Sequence, residues 1–419
     1  MQVRRHRLSS VQLTDIAWGR PDASTIQEIY AADDSRQKLL VAGALRRSGR
    51  TDPQLIDALA VLEAAQRRDA QAVTDLVRAD WLGPWAAGLL DGPDGAGQAA
   101  SRLGSLAAVA ALSAGLDARL TVGVHAGIVH LPNIGSLALA EHATSDVVLE
   151  VRDGRLDVTV AGSRPPVPMT PVRTVHDGDL RLLIDDQHPG RDCFHTPPAP
   201  RLSETAFRQW AELILASWRL LSEVAPVTAR QVAQGIRVLV PLTVPPHGED
   251  TSVSCAEALG AIATTPPPDP VHFAATLVHE WSHTLLNGML GFVSLHEPVT
   301  TRSSAYFAPW RPDPRPISGV LHGTFAFLAI TELWRALLAY DGVASRAAAE
   351  LALRRLQLAE VLATLPAAPE LTAQGRRFVH ILQQRHAALM DIPLRRGVAA
   401  EAAARIRKQR VVWERQNRS

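Results

Sequence analysis

The stretch Leu277-Val278-His279-Glu280-Trp281-Ser282-His283-Thr284 constrains this chain more than any other. It contains His-Glu-x-x-His. Side chains four apart on a helix lie one above the other, so His279 and His283 turn their imidazoles to the same side. Two neutral ring nitrogens so placed can grip one transition-metal ion, with Glu280 rotated by about 100° beside them. The flanks predict the helix. Thr265-Pro266-Pro267-Pro268 cannot be helical, Asp269 can act as N-cap, and Pro270 fits the first helical position. Phe273, Leu277, Leu285 and Leu286 give a buried stripe, and Gly288 and Gly291 offer places to stop. The same residues would also suit a buried helix with two hydrogen-bonded histidines. The proline-bounded start and a second histidine-bearing helix downstream favour a metal.

Hydrophobic residues make up 47% of the 419-residue chain and charged residues 20%, enough for a substantial core and for several domains. The net charge of +1 gives no electrostatic case for nucleic acid or a membrane as partner. No apolar run of about 18 residues stands out, which predicts no membrane span. Cys193 and Cys255 match no zinc or disulfide spacing, so a reducing, cytoplasmic location is expected.

The pattern predicts an α+β fold, predominantly helical, with a small mixed or antiparallel sheet beside a metal-binding helix pair in a metalloprotease-like core. Residues 1–118 read as a helical region, broken by a loop at Asp91-Gly92-Pro93-Asp94-Gly95. Residues 119–200 read as β-rich, with strands near 120–124, 128–132, 146–151, 156–160 and 180–184. Asp153-Gly154 is a hairpin turn, and the rest of 163–200 is a proline-rich loop. Residues 201–342 form the metal-binding core, with a helix from Ser203 to Glu223, a strand at 236–244, an extended stretch at 252–264 and a helix opening near Gly319. Residues 343–419 are helical again, with Arg376, Arg377 and Arg385 expected on polar faces. His125, His130 and His142 fit no single helix face and read as ordinary polar residues.

The third ligand decides the chemistry. Leu286 and Met289 stand where an extended metzincin pattern would need glycine and histidine. Glu297 and Glu332 are the carboxylate candidates. His322, at a helix start, is the better placed donor, with His296 a weaker competitor and His272 upstream on a nearby face. Three imidazoles can hold zinc or iron. An iron(II) site that takes 2-oxoglutarate also needs a cation for the distal carboxylate, and Arg311 and Arg315 lie between the metal helix and His322 in a proline-rich frame.

Taken together, Ala256-Glu257-Ala258-Leu259-Gly260-Ala261-Ile262-Ala263, the histidine motif, Tyr306-Phe307-Ala308-Pro309-Trp310-Arg311-Pro312-Asp313-Pro314-Arg315-Pro316 and Gly319-Val320-Leu321-His322-Gly323 resemble the HExxH-motif family of iron(II)/2-oxoglutarate-dependent peptide β-hydroxylases. That family is associated with ribosomally synthesised, post-translationally modified peptides. The resemblance covers about residues 200–340. It implies a dioxygenase with His279, His283 and His322 as metal ligands, Glu280 as a catalytic or ligand-orienting group, and Arg315 or Arg311 for 2-oxoglutarate. It also implies a precursor peptide as partner, held in part by the N-terminal region, and leaves room for a partner maturation enzyme. The alternatives are a zinc-dependent peptidase with Glu280 as general base and a non-catalytic peptide-binding scaffold.

Overall fold

Two facing helices and the edge of a mixed sheet define the middle of the molecule in a computed structural model of the chain. The structure describes residues 5–47, 52–79, 81–91, 96–125, 127–139, 147–194, 196–245, 248, 250–298 and 305–417. His142 and residues 92–95 of the expected loop lie outside the described residues. The N-terminal helices are α1 (Ser10–Ala17), α2 (Ala23–Arg47), α3 (Pro53–Arg68), α4 (Ala70–Ala79), α5 (Leu82–Asp91) and α6 (Ala96–Ala114). Ser9 starts α1 through a capping box with Gln12, which satisfies two backbone donors reciprocally.

The strands follow: β1 (Ala118–Val122), β2 (Ile128–Leu131), β3 (Gly135–Ala138), β4 (Val147–Arg152), β5 (Arg155–Thr159), β6 (Met169–Pro171), β7 (Arg173–Asp177) and β8 (Leu180–Ile184). The β4–β5 hairpin turns on Asp153 and Gly154, both at positive φ (48° and 71°), as the Asp-Gly signal predicts. The stretch 163–200 is less loop-like than its prolines suggest. It holds β6 and β7, and β7 pairs antiparallel with β8. Its alternation is short and carries Arg173 and His176, which hides the strand from a search for apolar runs.

Then come α7 (Glu204–Val224), α8 (Pro226–Gly235), β9 (Val238–Pro241), β10 (Ser252–Ser254), β11 (Ala261–Thr264), α9 (Pro270–Leu290), α10 (Ile317–Ala336), α11 (Ala344–Thr364), α12 (Ala373–Met390) and α13 (Arg396–Gln416). Five strands order as β10-β11-β9-β8-β7. The β11–β9 and β9–β8 pairs are parallel and the outer pairs antiparallel. This is the expected α+β architecture, with a small mixed sheet whose β10 edge packs against α9.

Packing divides the chain differently from the boundary at 118. Ile16, Ile26, Ile29 and Tyr30, from α1 and the start of α2, belong to the same buried cluster as α7, α9, α10 and α12. The helices α3, α4 and α6 share a second cluster with β1 and β4. Helix type is a local property, but membership of a core is set by which apolar stripe meets which partner.

Among the described residues, one helical stretch, Ile317–Ala339, is long and apolar enough in composition to cross a membrane, and 67% of its window is buried inside the protein. It qualifies by mean hydropathy and not as an unbroken apolar run, since Ser318, His322, Glu332 and Arg335 interrupt it. The helix is apolar nearly all round because α9, α11 and α12 surround it. Arg385 also departs from expectation. It is 3% exposed rather than on a polar face, because Glu332 and the Ala17 carbonyl both accept from it.

Candidate metal centre

Asp269 caps α9 by accepting from the His272 N–H at 2.8 Å, with Pro270 as the first helical residue. Phe273, Leu277, Leu285 and Leu286 bury one face almost completely. That burial fixes the helix rotation, and with it the direction of the motif. The Nε2 atoms of His279 and His283 face each other at 3.0 Å. Nitrogens bound to one ion at about 2.1 Å lie about 3–3.4 Å apart at bond angles of about 90–110°. The pair is therefore already at ligand spacing.

Helix α10 brings the third imidazole. It begins after Pro316 and packs along α9, placing the His322 ring 5.6 Å from that of His283, centroid to centroid. No three His, Cys, Asp or Glu side chains among the described residues stand close enough to hold an ion as they are. The motif pair is set, and His322 stands beside it. On the other side of the pair, Phe327 meets His279 edge-on at 5.4 Å, and Trp310 stacks on Phe327 at 4.5 Å and 20°. Gly323 makes that stack possible, because a Cβ there would lie 2.8 Å from the Trp310 indole.

Burial governs the protonation of this group. It pushes His279 down to about 4, helped by the Arg354 charge. It also pushes His322 to about 4 beside His296. His283 falls well below the usual histidine range through burial and its two histidine neighbours. All three are neutral at pH 7, the form that binds metal. With two convergent nitrogens and a third imidazole adjacent, the donor set fits a transition-metal ion.

Glu280 faces the sheet. Its Oε1 accepts from the Ser252 hydroxyl of β10 at 2.7 Å, and Oε2 is buried with no hydrogen-bond partner. Burial raises this carboxyl to about 7 against the lowering effect of Ser252 and Ser254.

Of the other sequence candidates, His272 lines the cavity beside His279 and His296 lies near His322, while the rest are dispersed. Glu332 lies about 15 Å along α10 from His322 and accepts from Nε and Nη2, one edge of the Arg385 fork, at 3.0 Å. That removes it as the third ligand. Glu297 is exposed. Arg311 and Arg315 share the Asp313 carboxylate at 3.1 and 3.0 Å. Arg315 lies against Gly319, one turn before His322, while Arg311 lines a groove between Trp310 and α13.

Sequence reading missed the neighbours that complete the centre. His279 is one wall of a cavity of ≈ 210 Å³ formed also by Ser252, Thr276, Phe327, Trp334 and Arg354. Arg354 sits on α11, over Phe327 at 5.2 Å. Its one sequence signal is an ordinary i,i+4 pair with Glu350, indistinguishable from a solvated helix face. The two cysteines, distant in sequence, also meet: the Cys193 thiol is held up by Cys255 beside it.

Compared with known proteins, the chain matches no family model and no curated sequence.

Proposed function

We propose that this chain is an iron(II)- and 2-oxoglutarate-dependent oxygenase that β-hydroxylates a residue of a ribosomally made precursor peptide, acting in the cytoplasm alongside a maturation enzyme. The observation that carries this reading is the grouping of His279, His283 and His322 across the α9–α10 contact, with Glu332 committed to Arg385 and Glu297 exposed. His279 and His283 would hold the metal, and His322 would complete the set. When bound, iron(II) with 2-oxoglutarate and oxygen supplies conversion of a C–H bond to C–OH, with the cosubstrate losing carbon dioxide to leave succinate. Phe327, with Trp310 stacked on it, forms an apolar wall beside His279. Glu280, tied to Ser252, sets the position of α9 against the β10 edge.

Anaerobic loading with iron(II), followed by 2-oxoglutarate and then air with the precursor peptide, tests the reading. One oxygen atom gained by the peptide and one succinate per turnover are expected, with both lost in His283→Ala. Stoichiometric iron binding without succinate formation would overturn it.

Glu280 favours a second reading, a zinc-dependent peptidase, because a carboxyl near pH 7 suits a general base. Peptide cleavage by the zinc-loaded protein, abolished in Glu280→Gln, would support it over the first.

A further inference from the structure

We propose that the groove between Trp310 and α13 is a docking site for a peptide segment in which acidic residues alternate with apolar ones. The inference rests on the oxygenase reading only in taking that segment to be part of the peptide substrate. The groove encloses ≈ 570 Å³. Arg405, Lys408, Gln409, Val412 and Gln416 recur at helical spacing along α13 and form one wall. Phe307 and Trp310, from the proline-rich stretch before α10, form the other. The Trp310 ring stacks on Phe327, which meets His279, so the groove begins within about 10 Å of the motif, a reach of about three extended residues.

Charge and apolar surface together select the occupant. Arg311, Arg405 and Lys408 line the groove, and no acidic residue among the described ones does so. Arg311 is already engaged by Asp313. Arg405 and Lys408 are exposed, and neither forms an ion pair among the described residues. In a chain of net charge +1 this is a local excess that acidic side chains match. Val412 is 43% exposed beside them, and the Trp413 ring packs edge-on against Phe307 at 5.0 Å, so apolar surface lies between the cations. The Trp413 Nε1 is buried and has no acceptor among the described residues. A peptide carbonyl seated against that ring supplies one. The rings favour a peptide over nucleic acid. Trp310 gives a face to Phe327 and Phe307 gives one to Arg410, which leaves little open ring face for bases to stack on.

Fluorescence anisotropy of a fluorescein-labelled peptide of alternating glutamate and leucine, titrated with the full-length protein, tests this without any turnover. The glutamate peptide is expected to bind, and its lysine–leucine counterpart at least tenfold more weakly. Arg405→Glu combined with Lys408→Glu should weaken the glutamate peptide at least tenfold, and so should Val412→Asp. Arg407→Glu combined with Arg415→Glu, on the same helix but outside the groove, should leave it unchanged. All five positions are exposed, so the variants keep the fold. Equal binding of the two peptides, binding of neither, or an equal loss in the Arg407 and Arg415 variant would overturn the docking site and leave the oxygenase reading standing. Tighter binding of a single-stranded oligonucleotide, lost in the Arg405 and Lys408 variant, would overturn it in favour of nucleic acid. Groove-dependent peptide binding in a protein that forms no succinate would support the docking site and sink the oxygenase reading instead.

Discussion

The Ser252 hydroxyl donates to Glu280 Oε1 at 2.7 Å, joining the β10 edge to the motif helix α9 through a carboxyl that is 1% exposed. Burial holds Glu280 at about 7, above its ordinary value of 4.5. A carboxyl raised on folding contributes most to stability below pH 4.5, and that contribution is lost as pH rises through 7. Glu280→Gln in the metal-free protein should therefore be more stable relative to wild type at pH 8 than at pH 5, read as urea midpoints. Equal differences at the two pH values would show that the carboxyl is not desolvated as described.

The histidines act in the opposite direction. His279 and His322 fall from 6.5 to about 4 on folding, so the unfolded chain takes up protons first. Metal-free protein should lose stability as pH falls from about 6.5 towards 4. His322→Phe, which removes one of these groups, should flatten that decline, measured by denaturation at pH 7 and pH 4.5.

Glu332 and Arg385 supply a control on the ligand set. The Arg385 side chain is 1% exposed and Glu332 37%. Arg385→Met should destabilise the fold by about 2–3 kcal/mol, below the usual range for breaking a fully buried pair because one partner reaches water. Glu332→Gln should leave metal affinity unchanged, by titration with zinc or cobalt. A tenfold loss of affinity there would return Glu332 to the ligand set.

Gly323→Ala tests the stack beside the centre. The added methyl meets the Trp310 indole at 2.8 Å, and overpacking of this kind costs about 1–3 kcal/mol. A lowered melting temperature with altered tryptophan fluorescence is expected. An unchanged melting temperature would mean that Trp310 moves aside freely.

Much of the centre could be read from the chain because it is local. A proline, a capping Asp269 and residues four apart define α9, and helical geometry alone puts His279 and His283 together. The paired Asp153-Gly154 turn was legible for the same reason, but that His322 comes beside His283 was not, because it rests on the packing of α10 along α9. The N-terminal helices were visible as helices, but their shared core with α9 was not.

What the sequence by itself determined is the motif helix, the order of elements and the mixed α+β character, all set by residue spacing and turn chemistry. Only tertiary structure decided that Glu332 answers to Arg385, that Arg354 reaches over Phe327 towards His279, and that Ser252 holds Glu280. These contacts join side chains from different elements. They depend on how whole helices and strands are rotated and stacked, and no local periodicity carries that information.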